Sequence, residues 1–315
     1  MWFRLGHVWL RMGRSSRAAE AFEKAYKGDT SLKLAIYWKG WAEFKAGRPE
    51  EAVREYNRYV SCELDRDDYL AEAYAMIGLI LWGKHESALS SYERALRVVP
   101  HPSYFINGGR AAFELKDWAK AEAYFKKAID LHPSNYEAVK GLACTVLKRD
   151  DFDEAEKRIN WCLERDPADH DLYVARGWIF EHRGQYREAI DALLEAVRLE
   201  PDDVNALVGL AACYEEDGSY EDAIKYYSRA MEMEPDNAKH HYLLSNGYYL
   251  LKRYPEALEH FRKARVLDVD RKCTDYREYY AEQHVAILTA CGLHEEAKAE
   301  RDALDAAACK PGDST

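Results

Sequence analysis

The chain of 315 residues contains no apolar run approaching the roughly 20 residues that a membrane-spanning helix requires. Its opening, MWFRLGHVWLRMGRSSRAAE, is amphipathic and lacks the long apolar core and small-residue cleavage site of a secretory leader. Cysteine is present at seven positions (62, 144, 162, 213, 273, 291 and 309), an odd number with no CxxC pair. A disulfide framework is therefore not expected; the thiols read as reduced, small apolar residues of a protein in a reducing, cytoplasmic-type compartment. Positive charge is in deficit as well, with 45 Lys+Arg against 56 Asp+Glu and a formal net charge of −11. That argues against nucleic acid as a partner, because a phosphate-backbone binder needs a basic stripe. Nucleophile-elbow and dinucleotide-fingerprint motifs are missing too, so the reading is of a non-enzyme with no cofactor and no metal.

What the chain does contain is a repeated spacing, seen most clearly in HDLYVARGWIFEHRGQYREAIDALLEAVRLEPDD, residues 170–203. Tyr173, Gly177 and Phe180 fall on one helix face, and Arg183-Gly184 closes that helix. Tyr186, Ala189, Leu193, Ala196 and Val197 form the stripe of a second helix, which Pro201 and the aspartates after it stop. Pro133, Pro167, Pro201 and Pro235 are each 34 residues apart. Ala121, Ala155, Ala189, Ala223 and Ala257 keep the same step, as do Ala128, Cys162, Ala196, Ala230 and Ala264, and as do the aromatics Trp118, Phe152, Tyr186, Tyr220 and Tyr254.

Four columns in register over most of the chain resemble the tetratricopeptide repeat family, whose helix-turn-helix unit has this length and this alternation of large and small residues. The resemblance implies an all-α, right-handed superhelical α-solenoid. The expected organisation is a single array over 1–310, with repeats near 1–32, 33–66, 69–101, 102–135, 136–169, 170–203, 204–237, 238–271 and 278–310. A disordered tail is expected over 311–315. The first repeat starts at Trp2 without the residues that would cap its helix; either the end frays, or the chain is an excerpt of a longer one. Repeat two carries Lys39 and Glu43 where the reference stretch has Arg176 and Phe180, and repeat three is two residues short around Gly83-Lys84, which predicts a local kink. Repeat eight has Val269 in the proline column, and residues 272–276 precede a more polar, cap-like ninth repeat.

Charge is unevenly spread. Residues 1–66 hold 13 Lys+Arg against 9 Asp+Glu, which leaves −15 on the remainder. Acidic clusters recur at Asp65-Asp67-Asp68, Asp150-Asp151-Asp153-Glu154, Glu200-Asp202-Asp203 and Glu215-Glu216-Asp217. Helix caps and solvated turns account for such clusters; the functional alternative is an acidic face for a basic partner.

Two local motifs fail on inspection. Gly78-Leu79-Ile80-Leu81-Trp82-Gly83-Lys84 satisfies the first positions of a phosphate-binding loop, but His85 stands where the magnesium-holding Ser or Thr belongs and no strand precedes it. His240 and His241 are adjacent, so they leave a helix in different directions and do not form an i, i+4 metal pair.

By the family resemblance, the first helix of each repeat lines a groove at the positions of Asp171, Val174, Ala175, Trp178, Glu181 and His182. The same columns hold Phe3, Arg4, His7 and Leu10, then Tyr37, Trp38, Trp41 and Phe44, then Met76, Leu79 and Trp82. They continue with Ile106, Asn107, Arg110 and Phe113, with Lys140 and Lys148, and with Tyr242, Asn246 and Tyr249. Large aromatics and arginine in columns outside the expected core are typical anchors of an interface, although bent packing would also bury them. One subgroup of the family grips acidic chaperone tails with lysines and asparagines in these columns. Here Asn246 is accompanied by Tyr242 rather than lysine, and Asn107 is flanked by repeats offering Ala75, Leu79, Glu137 and Gly141, so that clamp is missing. The expectation is a non-catalytic scaffold or adaptor that binds a peptide or helix of a partner protein in the groove. The alternatives are head-to-tail self-assembly into a homo-oligomer, or the targeting part of a larger multidomain enzyme.

Overall fold

The computed structural model describes residues 1–62, 68–268 and 281–308. Asp65 and Asp67 of the first acidic cluster, Cys273, Cys309, Val269, the insertion at 272–276 and the tail expected over 311–315 lie outside these residues. The chain forms two compact units, 1–162 and 163–315. In the first, α1 (Trp2–Arg11) to α8 (Trp118–Leu131) are followed by α9 (Tyr136–Leu147) and α10 (Phe152–Leu163), the intervening helices being α2 (Ser15–Gly28), α3 (Leu34–Lys45), α4 (Pro49–Val60), α5 (Asp68–Ile80), α6 (His85–Val98) and α7 (Pro102–Glu114). The second holds α11 (His170–His182), α12 (Tyr186–Leu199), α13 (Val204–Glu216), α14 (Tyr220–Met233), α15 (Ala238–Leu250), α16 (Tyr254–Leu267), α17 (Ala281–Ala290) and α18 (His294–Ala308). All eighteen described elements are helices, and within each unit neighbours in sequence are neighbours in space, the pairing of a tetratricopeptide solenoid. None of the described helices is long and apolar enough to cross a membrane.

Turn chemistry sets where helices stop. Gly13, Gly47, Gly184, Gly218 and Gly292 occupy the same place after the first helix of their hairpins and have φ between +70° and +83°. That conformation is free of steric cost only for glycine. Lys116, Asp150 and Lys252 adopt it at the equivalent positions, with φ near +60°. The third hairpin, two residues shorter, lacks this turn: α5 ends at Ile80, and Trp82 falls in the connection to α6 instead of on the helix. Side-chain caps start the next helices. Asp117, Asn135, Asp203 and Asn237 each accept a hydrogen bond from a backbone N–H in the first turn, and Asp151 accepts one from Glu154 N, which accounts for part of two acidic clusters.

The core is a repeated insertion. Phe22, Tyr56, Tyr92, Phe125, Ile159, Leu193, Tyr227 and Phe261 occupy one column of the second helices, and all are at most 2% exposed. Each alanine of the column four residues earlier, from Ala18 to Ala257, is fully buried. The large side chain seats on a small residue of the hairpin's first helix: a Cβ on Gly40 would stand 3.2 Å from the Tyr56 ring, one on Gly78 3.0 Å from Tyr92, and one on Gly177 2.5 Å from Leu193 Cγ. Gly78, the first glycine of the phosphate-loop-like stretch, is thus a packing residue. The charged departures in repeat two have partners. Lys39 bridges Glu23 at 2.9 Å and Glu55 at 2.8 Å, and Glu43 pairs with Arg48. Cys162 and Cys213 are fully buried and Cys62, Cys144 and Cys291 half-buried, these five forming no disulfide, and burial pushes the Cys213 thiol up to about 12.

Histidines cluster in α15 and α16. His241 and His260 face each other with 3.0 Å between their Nδ1 atoms, and Tyr248 stacks on His260 at 5.4 Å. Only one proton fits between the two rings. Burial, His241 and Lys263 hold His260 down to about 4, with Glu259 opposing.

Two outcomes are expected. Gly177→Ala should destabilise the fold by about 1–3 kcal/mol through overpacking against Leu193. Gly209→Ala, whose Cβ would meet Leu193 at an ordinary 3.5 Å, should instead stabilise by up to about 1 kcal/mol through helix propensity. Thermal melts followed by circular dichroism separate the two signs. Because the folded-state value of His260 lies below its unfolded 6.5, the unfolded chain binds the extra proton as pH falls. Tm should therefore drop between pH 6.5 and 4, and His260→Phe, which keeps the stack on Tyr248, should flatten that drop.

Candidate functional site

The first helices of the hairpins present the columns singled out from the sequence, and the structure divides those residues into three groups. Tyr37, Met76 and Tyr242 belong to the core, at 2%, 8% and 0% exposure. Tyr37 packs edge-on against Tyr56, Tyr59 and Tyr69, Met76 joins the same cluster, and Tyr242 meets Phe261 at 5.3 Å. These three are corrected from groove residues to packing residues, as is Ile106 at 7% exposure.

A second group remains on the face of unit 1–162. Trp38 packs edge-on against His7 at 4.6 Å and reaches Tyr69 at 6.3 Å. Trp41 lies 6.2 Å from Phe44 with Lys45 over its ring, and Leu79 is 48% exposed. Trp82, Arg110 and Phe113 come together around a cavity of about 310 Å³ on the α7–α9 surface, with Glu114, Glu137, Lys140 and Cys144 completing its wall and Phe125 its floor. Arg110 pairs with Glu137, and both line the cavity. The displacement of Trp82 into the shortened turn does not remove it from the site. Asn107 is half-buried on the same helix as Arg110. Apolar walls with a few polar groups at the rim are what a small, oriented ligand segment requires.

A third group lies in unit 163–315. Trp178 packs on His182 at 4.1 Å, and Tyr249 lies 6.0 Å from Tyr254. Asn246, 7% exposed, is committed to its neighbours: its Nδ2 donates to Glu215 at 2.6 Å, and Gln283 Nε2 donates to its Oδ1 at 2.6 Å. Glu215 stands out in the sequence only as part of an acidic cluster and not as a groove residue, although it shares the column of Trp82 and Phe113. Burial, then the adjacent Glu216, push its carboxyl up to about 7 against the Asn246 hydrogen bond, and burial raises Glu181 in the same way.

Comparison with known proteins now adds to this geometry. Family models described as tetratricopeptide repeat match residues 3–69, 83–136 and 141–204, and again 182–246 and 214–278. The chain is 26% identical over 188 residues to the BBSome complex member bbs-4 of Caenorhabditis elegans, 57% of this chain and 40% of that one. It is 26% identical over 131 residues to anaphase-promoting complex subunit 3 of Schizosaccharomyces pombe, covering 41% and 20%. The chain thus spans less than half the length of these curated relatives. YrrB, described as a TPR protein with an unusual peptide-binding site, superposes with a TM-score of 0.54 at 22% identity, over 60% of this chain and 97% of that one. A tetratricopeptide repeat protein of Parabacteroides merdae gives 0.52 at 19% identity, over 78% and 97%. At these identities the two structures speak for the fold alone.

The raised carboxyl of Glu215 has a testable consequence. Its folded-state value lies above the unfolded 4.5, so its contribution is fully present below pH 4.5 and lost as pH rises through about 7. Glu215→Gln keeps the acceptor for Asn246 and removes the buried charge. It should raise Tm at pH 8 and leave it unchanged at pH 4; an unchanged Tm at both would contradict the burial of this carboxylate.

Proposed function

Because the chain belongs to the tetratricopeptide repeat family, we propose that it is a non-catalytic scaffold or adaptor that holds a peptide or helix of a partner protein on its first-helix groove. Residues 1–310 act in this reading as one array, and the protein works inside the cell. The observation that supports it most is the cavity that gathers Trp82, Arg110 and Phe113, with the Trp41–Phe44 pair and exposed Leu79 on the same kind of face. An aliphatic or aromatic side chain of the partner enters this cavity, and Arg110 and Lys140 orient its backbone or polar groups. Aromatic and arginine anchors of this kind dominate interface energies, each being worth on the order of 2 kcal/mol or more.

A second reading, association of copies, is favoured by one observation. Val8 of α1 is 48% exposed and the flanking Met1 and Met12 are 98% and 55% exposed, whereas Leu172 and Ile179, in the columns of Met1 and Val8, are fully buried in α11. Head-to-tail stacking meets an obstacle, since α18 presents exposed Lys298, Arg301 and Asp302 in the columns where α12 has Ile190, Leu193 and Leu194. A mass that rises with concentration and falls with added salt supports this reading, and a monomer at about 100 µM contradicts it.

The groove reading is tested by affinity capture from the source cell with wild type and a Trp41→Ala, Arg110→Ala, Phe113→Ala variant of native helicity. A protein held by the wild type should be lost, or bound at least about 30-fold more weakly, by the variant. Equal capture by both contradicts the reading.

A further inference from the structure

We propose that the cavity enclosed by α4, α5 and α6 is a carboxylate subsite, in which a glutamate or aspartate side chain of a second protein partner pairs with Arg94.

Two successive hairpin interfaces of unit 1–162 carry the assignment. Between the first and second hairpins four charges close a network: Lys39 of α3 lies 2.9 Å from Glu23 of α2 and 2.8 Å from Glu55 of α4, and Arg58 of α4 lies 3.5 Å from Glu23 and 3.3 Å from Glu55. One hairpin on, the equivalent positions are found by stepping from Ala18 to Ala52, from Ala52 to Ala88 and from Gly40 to Gly78. Asn57 then stands for Glu23, Ser91 for Glu55, Ile77 for Lys39 and Arg94 for Arg58. Both carboxylates and the lysine are gone, and the guanidinium alone is kept. The interface after that has its acid again, since Glu93, in the column of Glu23 and Asn57, pairs with Lys120 at 3.2 Å.

These four positions line one cavity of about 360 Å³. Arg94 is exposed there and has no ion pair among the described residues. Ile77, 5% exposed, gives the cavity an apolar surface, and the Ser91 hydroxyl donates to the Ser87 carbonyl at 2.8 Å. The side chains of Asn57, Ser87 and Ser90 also line it and donate to no other described residue. A carboxylate brings acceptors only, so a guanidinium fork, an amide and two hydroxyls are the complement it needs. Arg58 seats two carboxylates from the same position one hairpin earlier, which favours a carboxylate over other anions as the occupant. Glu86, the one acidic residue among those lining the cavity, is about two turns from Arg94 on α6, roughly 12 Å along the axis and beyond a screening length of about 8 Å, so it leaves the guanidinium unneutralised. Residues 1–162 hold 26 Lys+Arg against 24 Asp+Glu, and residues 163–315 hold 19 against 32, so an acidic segment is repelled least by the unit that carries this cavity. No lining residue is shared with the cavity of Trp82 and Arg110, so the subsite and the groove reading can fail separately.

The experiment titrates acetyl-tetraglutamate amide into the full chain carrying nitrogen-15 arginine, at about 0.15 M salt. The Arg94 Nε–Hε resonance, identified by its loss in Arg94→Gln, should shift to saturation. Binding measured by calorimetry should be about tenfold weaker for Arg94→Gln, the loss expected of a charged hydrogen bond, and unchanged for Arg54→Gln, an exposed α4 arginine outside the cavity. Asn57→Glu puts back the carboxylate of the Glu23 column; it should shift the Arg94 resonance with no peptide present and abolish binding. An Arg94 resonance that stays fixed in wild type, equal weakening by Arg94→Gln and Arg54→Gln, or undiminished binding by Asn57→Glu overturns the proposal. Binding of tetralysine, the opposite-charge probe, in place of tetraglutamate overturns it as well. Binding of a phosphoserine tetrapeptide without binding of tetraglutamate overturns it in favour of a phosphate site.

Discussion

A large side chain of each second helix must find a hole in the first helix of its hairpin, and the rest of the architecture follows from that fit. Tyr56 on Gly40, Tyr92 on Gly78, Phe125 on Gly109 and Leu193 on Gly177 bring the two axes close enough for the alanine columns to be buried completely. Where the column holds Ala143 or Ala211 instead of glycine, Ile159 and Tyr227 of the large-residue column are buried to the same degree, both at 1% exposure. No hairpin can bury both its faces alone, so each relies on the next, and stability is shared between hairpins and their interfaces.

This packing also determines what is left to bind with. Once the second helix has taken one side of the first, and neighbouring hairpins have taken the flanks, a narrow strip of each first helix remains. In unit 1–162 that strip is aromatic, with Trp41, Phe44 and Phe113 beside Arg110, and Trp82 adjoins it from the α5–α6 connection. In unit 163–315 it is acidic and amide-rich, with Glu181, Glu215, Asn246 and Gln283. Two faces of one fold therefore differ in composition, and both differ from a lysine-rich clamp for carboxylates.

The fold was legible because its constraint repeats. One glycine or alanine in a column is ambiguous, but the same residue class at a step of 34 leaves little alternative to paired helices. The site was less legible, for reasons visible in particular residues. Columns assign a residue to a face, yet at the edge of the strip the length of the side chain decides its fate: Tyr37 and Tyr242 reach the core from a position where Val174 and Val208 stay half-buried. Trp82 kept its place at the cavity although the deletion moved it off the helix. Glu215 shows the opposite failure. A glutamate in a helix reads as solvated, and only its burial and its hydrogen bond to an asparagine 31 residues away distinguish it.

The central claim is that the groove partner is held by the first helices, through side chains left over from packing. Hydrogen–deuterium exchange of the chain alone and with its captured partner measures this most directly. Added protection should fall on α3, α5, α7 and α9, strongest around Arg110 and Phe113, with α4, α6, α8 and α10 unchanged. Protection concentrated on the second helices, or on α1 alone, would contradict it.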